Sequence, residues 1–485
     1  MKKIEFWDTT LRDAHQSLWA TRMTSAMMEP IVATMDDAGY WNLGLAGSAV
    51  FDSCIYYLAE DPWERLDMVH RLTPKTMKSC YIRSLNVLGW DIFADDVFPF
   101  AINLLARHGI GLINTFDALN DTANMAPSIK ATLDAGLHAV GSIVFSLSPV
   151  HTDAHFVKKA KELVALGVHG VQLKDSGALL TVDRVRTLVP ALREAIGNDV
   201  QLHFHTHCSS GLGPQVTLEA VPLGVDIVHT AISPLANGFS QPGTEMIAEG
   251  LRDLGFDVSL DFAKLDEQAA HFRAMAKRHD KPVGQPAAYN PALYRHQLPG
   301  GMASNLISQM TALGLKGQLS RVLEEIVRIR EDLGWPIMVS PMSQFIGVQA
   351  LFNVMHDERY KVVPTEIKNY ALGWYGALAA PIDGDVFDRI ADGEEPISDR
   401  PGALLEPMVE KFRAEHGPFN SDEDLLLALH YKGKLLDEWR AMRADGIKYP
   451  TPGTPVATLL KELTERPEVT YVDVQKGGLR FTYGA

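Results

Sequence analysis

The chain has 485 residues, more than one ordinary domain, with 46% apolar and 22% charged residues, an ordinary water-soluble balance. Its formal net charge of -15 argues against nucleic acid as a partner, because phosphate backbones are met by clustered Lys and Arg. Cys54, Cys80 and Cys208 lie far apart with no Cys-x-x-Cys, no apolar run approaches the ~18–20 residues of a membrane span, and the N-terminus enters a strand without a signal-peptide region, so a reducing cytoplasmic setting is expected.

The first predicted element is a strand at 4–8. It is followed at once by Thr9-Thr10-Leu11-Arg12-Asp13-Ala14-His15-Gln16, far more polarity than a core uses. Further strands are predicted at 41–46, 80–85, 111–117, 138–146, 168–174, 200–207 and 225–232, with amphipathic helical stretches such as Ala154–Leu166 and Val182–Ile196 between them. Gly39, Gly109, Gly136, Gly167 and Gly224 each end a helical stretch, where a left-handed residue closes the helix before the next strand. Eight strand–helix units predict a (β/α)8 TIM barrel over residues 1–300. An open doubly wound sheet is the alternative, but the turn after the first strand lacks Gly-x-Gly-x-x-Gly.

In a barrel the carboxyl ends of the strands form one rim, and the polar segments fall there. His203, His205 and His207 alternate on strand seven and so share a face. Two imidazoles at that spacing, with Asp13 from strand one, form a three-point set for a divalent ion; hydrogen-bonded barrel histidines are the alternative. Lys174 ends strand six. It either pairs with Asp175 or Asp13 or faces the mouth, and an ammonium must lose its proton before it can act as a ligand. A lysine that has reacted with carbon dioxide would instead offer an anionic oxygen pair. Arg12 and Arg83 suit a substrate carboxylate or rim ion pairs, and Asp52 and Asp117 are further rim carboxylates or caps.

Residues 260–300 carry several prolines and read as a connection. Residues 301–445 read as mostly helical, and 446–485 as a tail whose stretch Val469–Tyr483 alternates around Gly477-Gly478 as a hairpin does.

Long stretches resemble the biotin-dependent carboxyltransferases: the oxaloacetate decarboxylase alpha subunit, the pyruvate-acting transcarboxylase subunit and the carboxyltransferase domain of pyruvate carboxylase. They are Asp8–Met23 (DTTLRDAHQSLWATRM), Glu60–Arg65, Phe116–Asp121 (FDALND), Ser148–Thr152, Ala231–Leu235, Ser240–Pro242, Leu298–Met302 and Glu358–Val362, and the likeness runs from residue 4 to about 410. The resemblance implies a barrel followed by a helical, funnel-like region. It implies a divalent zinc, manganese or cobalt ion held by Asp13, a carbamylated Lys174, His205 and His207, and substrate contacts from Arg12, Gln16 and Arg83. A carboxyl group would move between carboxybiotin and a metal-stabilised enolate, and relatives commonly dimerise. Lys476 has no Met on either side, so biotin is expected on a separate carrier protein loaded by a separate biotin carboxylase.

Several positions depart from the family pattern. The Thr that precedes Ser-Gln-Pro and shuttles a proton is Phe239. The usual Tyr after the Arg83 segment is Trp90. The usual strand-two Glu and Trp are Gly44 and Ala46, an Arg on strand four is Asn114, and the usual Met-Ala-Gly after Asp175 is Ser176-Gly177-Ala178. The ligand set is intact while the groups for proton transfer and substrate shape are changed. The expectation is therefore an enzyme acting on an acid other than pyruvate, bulkier or less polar, with added room beside strand two. A biotin-independent metal-dependent lyase or aldolase is the alternative, raised by Phe239. A non-enzymatic scaffold is opposed by the intact ligands.

Overall fold

The computed structural model describes residues 1–298, 306, 310, 316–356 and 358–444, and the backbone of 471–476 and 479–484. Eight strands come first: β1 (Glu5–Asp8), β2 (Asn42–Gly47), β3 (Met77–Arg83), β4 (Leu112–Phe116), β5 (His138–Val144), β6 (Gly170–Asp175), β7 (Gln201–Thr206) and β8 (Ile227–Thr230). Each pairs in parallel with the next, and β8 returns to β1 from Glu5↔Ile227 to Asp8↔Thr230, so the sheet is a closed barrel and the open-sheet alternative is excluded. Nearly every strand residue is buried, as expected for a parallel sheet with helices outside it.

Local chemistry explains the punctuation. The helices Asp153–Ala165 and Val182–Ile196 open on Thr152 and Thr181, whose hydroxyls accept from His155 N and Arg184 N at 3.3 and 3.2 Å. Gly136 and Gly167 close helices at φ of +70° and +83°, where a side chain would be strained. β3 differs from expectation at both ends. It starts at Met77 because polar Lys78 is nevertheless buried, its amine donating to Thr73 O at 2.7 Å. It stops at Arg83 because the chain turns back there, Val87 N donating to Arg83 O at 3.0 Å.

The barrel interior is aromatic and polar as well as aliphatic. Trp7 stacks on His229 with ring centroids 4.4 Å apart and lies 6.0 Å from both Tyr81 and Trp41, beside Leu112, Val140, Val144 and Ile227. A second core follows the barrel. Helices Leu319–Asp332 and Met342–His356 bury Val322, Ile326, Ile329, Phe345 and Ile346 together with Ala118 and Leu119, which follow β4. The helical region is thereby seated on the carboxyl-end side of the barrel.

Met1–Leu436 forms one compact unit and Asp437–Ala485 another. The second unit contains an antiparallel pair, β9 (Tyr471–Lys476) and β10 (Leu479–Gly484), with Leu479 opposite Lys476. Residues 299–302 of the Leu298–Met302 stretch and residues 446–470 lie outside the described residues. Cys54, Cys80 and Cys208 are free and buried. Among the described residues no helix is long and apolar enough to cross a membrane.

Candidate active site

Beyond β1 the chain makes one wide turn, Thr10–Ala14, in which Ala14 N donates to Thr9 O at 3.1 Å, five residues back. Asp8 starts it by accepting from Thr10 N at 2.9 Å. The turn points Arg12 and Asp13 at the barrel mouth, where Arg12 Nη1 and Asp13 Oδ1 pair at 2.5 Å. The other carboxylate oxygen, Asp13 Oδ2, and His205 Nε2 are both buried without a hydrogen-bond partner among the described residues, yet face each other at 3.4 Å. The ligand atoms of Asp13, His205 and His207 all lie within 4.8 Å of one another. Buried polar atoms are almost always satisfied, and a cation among these three would satisfy them. The residues present thus fit a divalent ion.

The tautomers agree with that fit. His207 Nδ1 donates to Phe239 O at 2.6 Å, which makes Nε2 an acceptor, and the Gln241 amide nitrogen donates to it at 3.0 Å. His205 Nδ1 lies 3.2 Å from His229 Nδ1, and His229 Nε2 lies 3.4 Å from His203 Nδ1. Burial holds these rings neutral, with His205 and His229 well below the usual imidazole range and His203 down to about 3. One assignment consistent with neutral rings has His205 Nδ1–H donating to His229, and His229 Nε2–H donating to His203. The lone pair of His205 Nε2 then faces Asp13. His203 shares the face of His205 and His207 but sits deeper, as a support and not a ligand. Alternation on one strand pointed to the histidines of β7; nothing in it pointed to His229 on β8 or to Gln241.

Lys174 Nζ lies 4.0 Å over the Tyr81 ring and 5.1 Å from that of Phe116. It does not pair with Asp175, which instead accepts from Leu179 N and Leu180 N, both at 2.8 Å, and from Thr206 Oγ1 at 3.1 Å. Burial pulls the Lys174 amine down to about 8. Burial alone would raise Asp13, but the Arg12 guanidinium and the Lys174 ammonium hold it well below the usual carboxylate range. Arg83 is buried, lowered by burial to about 10, and its Nη1 donates to Gly89 O at 3.3 Å while its Nε has no hydrogen-bond partner among the described residues. Gln16 Oε1 is likewise unpartnered. A cavity of about 500 Å³ brings together Arg12, Asp13, Gln16, Arg83, Lys174, His207 and Phe239, walled by Ser48, Ala49, Phe116, Trp90 and Val339. All the residues expected at the site therefore meet there except His205, which is fully buried just behind Asp13.

The geometry overturns one expectation and decides between two alternatives for another. Gly44 adds no room, because a Cβ there would lie 3.0 Å from Trp7 Nε1 and 3.1 Å from Asp8 O; the indole fills the space. Asp117 is a cap and not a free rim carboxylate, accepting from Leu119 N at 2.8 Å, from Asp121 N at 2.9 Å and from Ser84 Oγ. Asn114 faces inward and bonds to Gln172 and Ser142.

Comparison with known proteins agrees with this geometry. A conserved carboxylase domain is matched over residues 293–479. The chain is 39% identical over 430 residues to a pyruvate carboxylase subunit of Methanocaldococcus jannaschii, covering 87% of this chain and 75% of that protein. It is 32% identical over 475 residues to the 2-oxoglutarate carboxylase large subunit of Hydrogenobacter thermophilus, covering 96% and 72%. The solved carboxyl transferase domain of Rhizobium etli pyruvate carboxylase with oxamate and biotin superposes with a TM-score of 0.85 at 28% identity, over 93% of this chain and 80% of that one. A closed eight-stranded barrel, its helical extension and relatives matched over most of their length place this chain in the family of biotin-dependent carboxyltransferases.

Proposed function

We propose that this carboxyltransferase moves a carboxyl group between carboxybiotin and the enolate of an organic acid other than pyruvate. The observation that carries the reading is one cavity in which Arg12, Arg83, Lys174 and two members of the candidate ligand set, Asp13 and His207, converge beside the Phe239 ring, with His205 buried just behind Asp13. Asp13, His205 and His207 would hold a divalent zinc, manganese or cobalt ion, which supplies Lewis acidity toward a carbonyl oxygen when bound. Lys174 completes the set as a carbamate. Its amine near 8 is partly neutral at physiological pH, so its lone pair attacks the carbon of carbon dioxide, an N–C bond forms and the amine proton leaves to water.

Arg83 and Arg12 hold the acid end. Each has a buried nitrogen with no hydrogen-bond partner among the described residues, and a guanidinium presents two donors to a carboxylate in one plane. Gln16 Oε1 adds an acceptor within the same cavity. Holding the acid in one orientation brings the reacting carbons together productively. Phe239 contributes apolar surface and no exchangeable proton, so proton transfer falls to hydroxyls in the wall such as Ser48, Ser176 and Ser209. That change of proton route supports an acceptor other than pyruvate.

Biotin is brought by a carrier protein and loaded by a biotin carboxylase, consistent with relatives named as subunits of carboxylases. A homodimer is proposed as the working assembly. The test is solvent deuterium exchange and turnover over a panel of pyruvate, oxaloacetate and larger oxo and acyl acids, with and without free biotin. Biotin-dependent turnover of a larger acid with pyruvate inert is expected. Rapid decarboxylation of oxaloacetate would sink the choice of acceptor. Cleavage without biotin would favour a lyase, the reading to which the missing hydroxyl at 239 lends support.

A further inference from the structure

Arg83 closes β3, and the loop behind it returns Trp90 over the guanidinium, 4.3 Å from charge to ring. Trp90 is 49% exposed, so burial does not hold it there. Its indole N–H donates to Asp52 Oδ2 at 2.9 Å, and the other oxygen of that carboxylate accepts from Tyr431 OH at 3.0 Å. Tyr431 is buried and comes from the helical region, at the end of helix Asp422–His430. Its neighbours make parallel attachments. His430 Nδ1 donates to Leu426 O at 2.8 Å, which leaves Nε2 to accept from Leu88 N at 3.3 Å. Lys432 pairs with Asp91 at 2.5 Å. The backbone at Gly89 passes so near that a Cβ there would lie 2.8 Å from His430 Cδ2. Three consecutive residues of the helical region thus grip both the loop that carries Trp90 and the carboxylate that orients it.

We propose that His430-Tyr431-Lys432 is a positioning clamp: through Asp52 and the loop Leu88–Asp91 it fixes Trp90 as the wall over Arg83, and so sets how tightly the acid end of the substrate is held and what fits beside it. This rests on the reading of Arg83 as a carboxylate-binding group. An exposed indole stacked on one guanidinium is weakly held, because such contacts are modest at wet sites. The Asp52 bridge supplies direction: a carboxylate accepts only, so it ties two aromatic donors from distant parts of the chain to one point.

The test uses the full chain labelled with 5-fluorotryptophan. The chain has eight tryptophans, and the Trp90 line is assigned with Trp90→Phe. Oxamate, a small carboxylate amide, is the titrant. Tyr431→Phe keeps the ring and removes one hydrogen bond. It should move or broaden the Trp90 line, leave the other tryptophan lines in place, and weaken oxamate about fivefold, the scale of one lost hydrogen bond. Lys432→Met, a surface change that spares the core, should move the same line. Tyr56→Phe, whose ring meets Tyr431 edge-on at 5.9 Å, should move neither line nor affinity. A Trp90 line unmoved in both Tyr431→Phe and Lys432→Met overturns the clamp. Oxamate that moves no line in the unaltered protein would count against Arg83 as the carboxylate site, while the Trp90 line in the variants still decides the clamp.

Discussion

Two buried polar atoms that face each other without a hydrogen-bond partner are costly, and among the described residues Asp13 Oδ2 and His205 Nε2 are such a pair. Their arrangement is stable if a cation belongs there. Asp13→Asn keeps the shape and removes the charge, and should cut bound divalent metal at least tenfold by elemental analysis. His229→Leu removes the partner that sets the tautomer of His205, and should weaken metal binding by roughly tenfold, the usual scale for such supporting groups. Phe239→Thr restores a hydroxyl beside the site. If the phenyl ring is what excludes pyruvate chemistry, biotin-dependent decarboxylation of oxaloacetate should rise by about a hundredfold, within the range of one general acid–base group. Arg12, Asp13, His205 and His207 could be picked out as candidates because polar and charged side chains gather where apolar strands end, although Asp117 and Asp175 at such ends serve as caps. His229 could not, because one histidine inside Val225–Ile232 looks like any satisfied core residue.

At the scale of elements, the FDALND stretch is architectural. Asn120 takes φ of +58° and bridges to β5, its Nδ2 donating to Val144 O at 2.9 Å and its Oδ1 accepting from Val144 N at 2.8 Å. Asp121 caps helix Thr122–Asp134 through Ala123 N at 3.0 Å and reaches the helical region through Ala377 N at 2.8 Å. Asp121→Ala should therefore lower stability by about 2 kcal/mol, a cap plus one orphaned N–H, read from the urea midpoint. The strand periods located seven of eight strands closely; β3 was displaced because Lys78 and Ser79 carry no apolar signal although both are buried. Alternation reveals burial only where the buried residues are apolar.

For the whole molecule, many imidazoles are buried neutral. Outside the ligand set, burial lowers His15 and His151 to about 3, and His138 and His430 to about 4. The unfolded chain binds more protons than the folded one between those values and the ordinary 6.5, so this stability is present above about pH 6.5 and lost on acidification toward 4. Buried carboxyls act in the opposite direction. Burial raises Asp8 to about 7 and Asp117 and Asp175 to about 6, so their penalty is greatest at neutral pH and is relieved as the pH falls through those values. The buried imidazoles are more numerous, His203, His205 and His229 being lowered as well. The melting temperature of metal-free protein should therefore fall by about 5 °C or more from pH 7.5 to pH 5 at constant ionic strength. The meeting of the helical region with the barrel mouth, through Tyr431 and Asp52, was not legible in the chain, because hydrogen bonds between residues hundreds apart leave no periodic trace.

His207 is oriented by the main-chain carbonyl of residue 239, while the side chain of that same residue lines the candidate site. Every amino acid brings the carbonyl. Mutation at this position can therefore exchange one proton chemistry for another without disturbing the imidazole that it aims, which makes residue 239 a place where new reactions can be tried on an unaltered metal-binding frame.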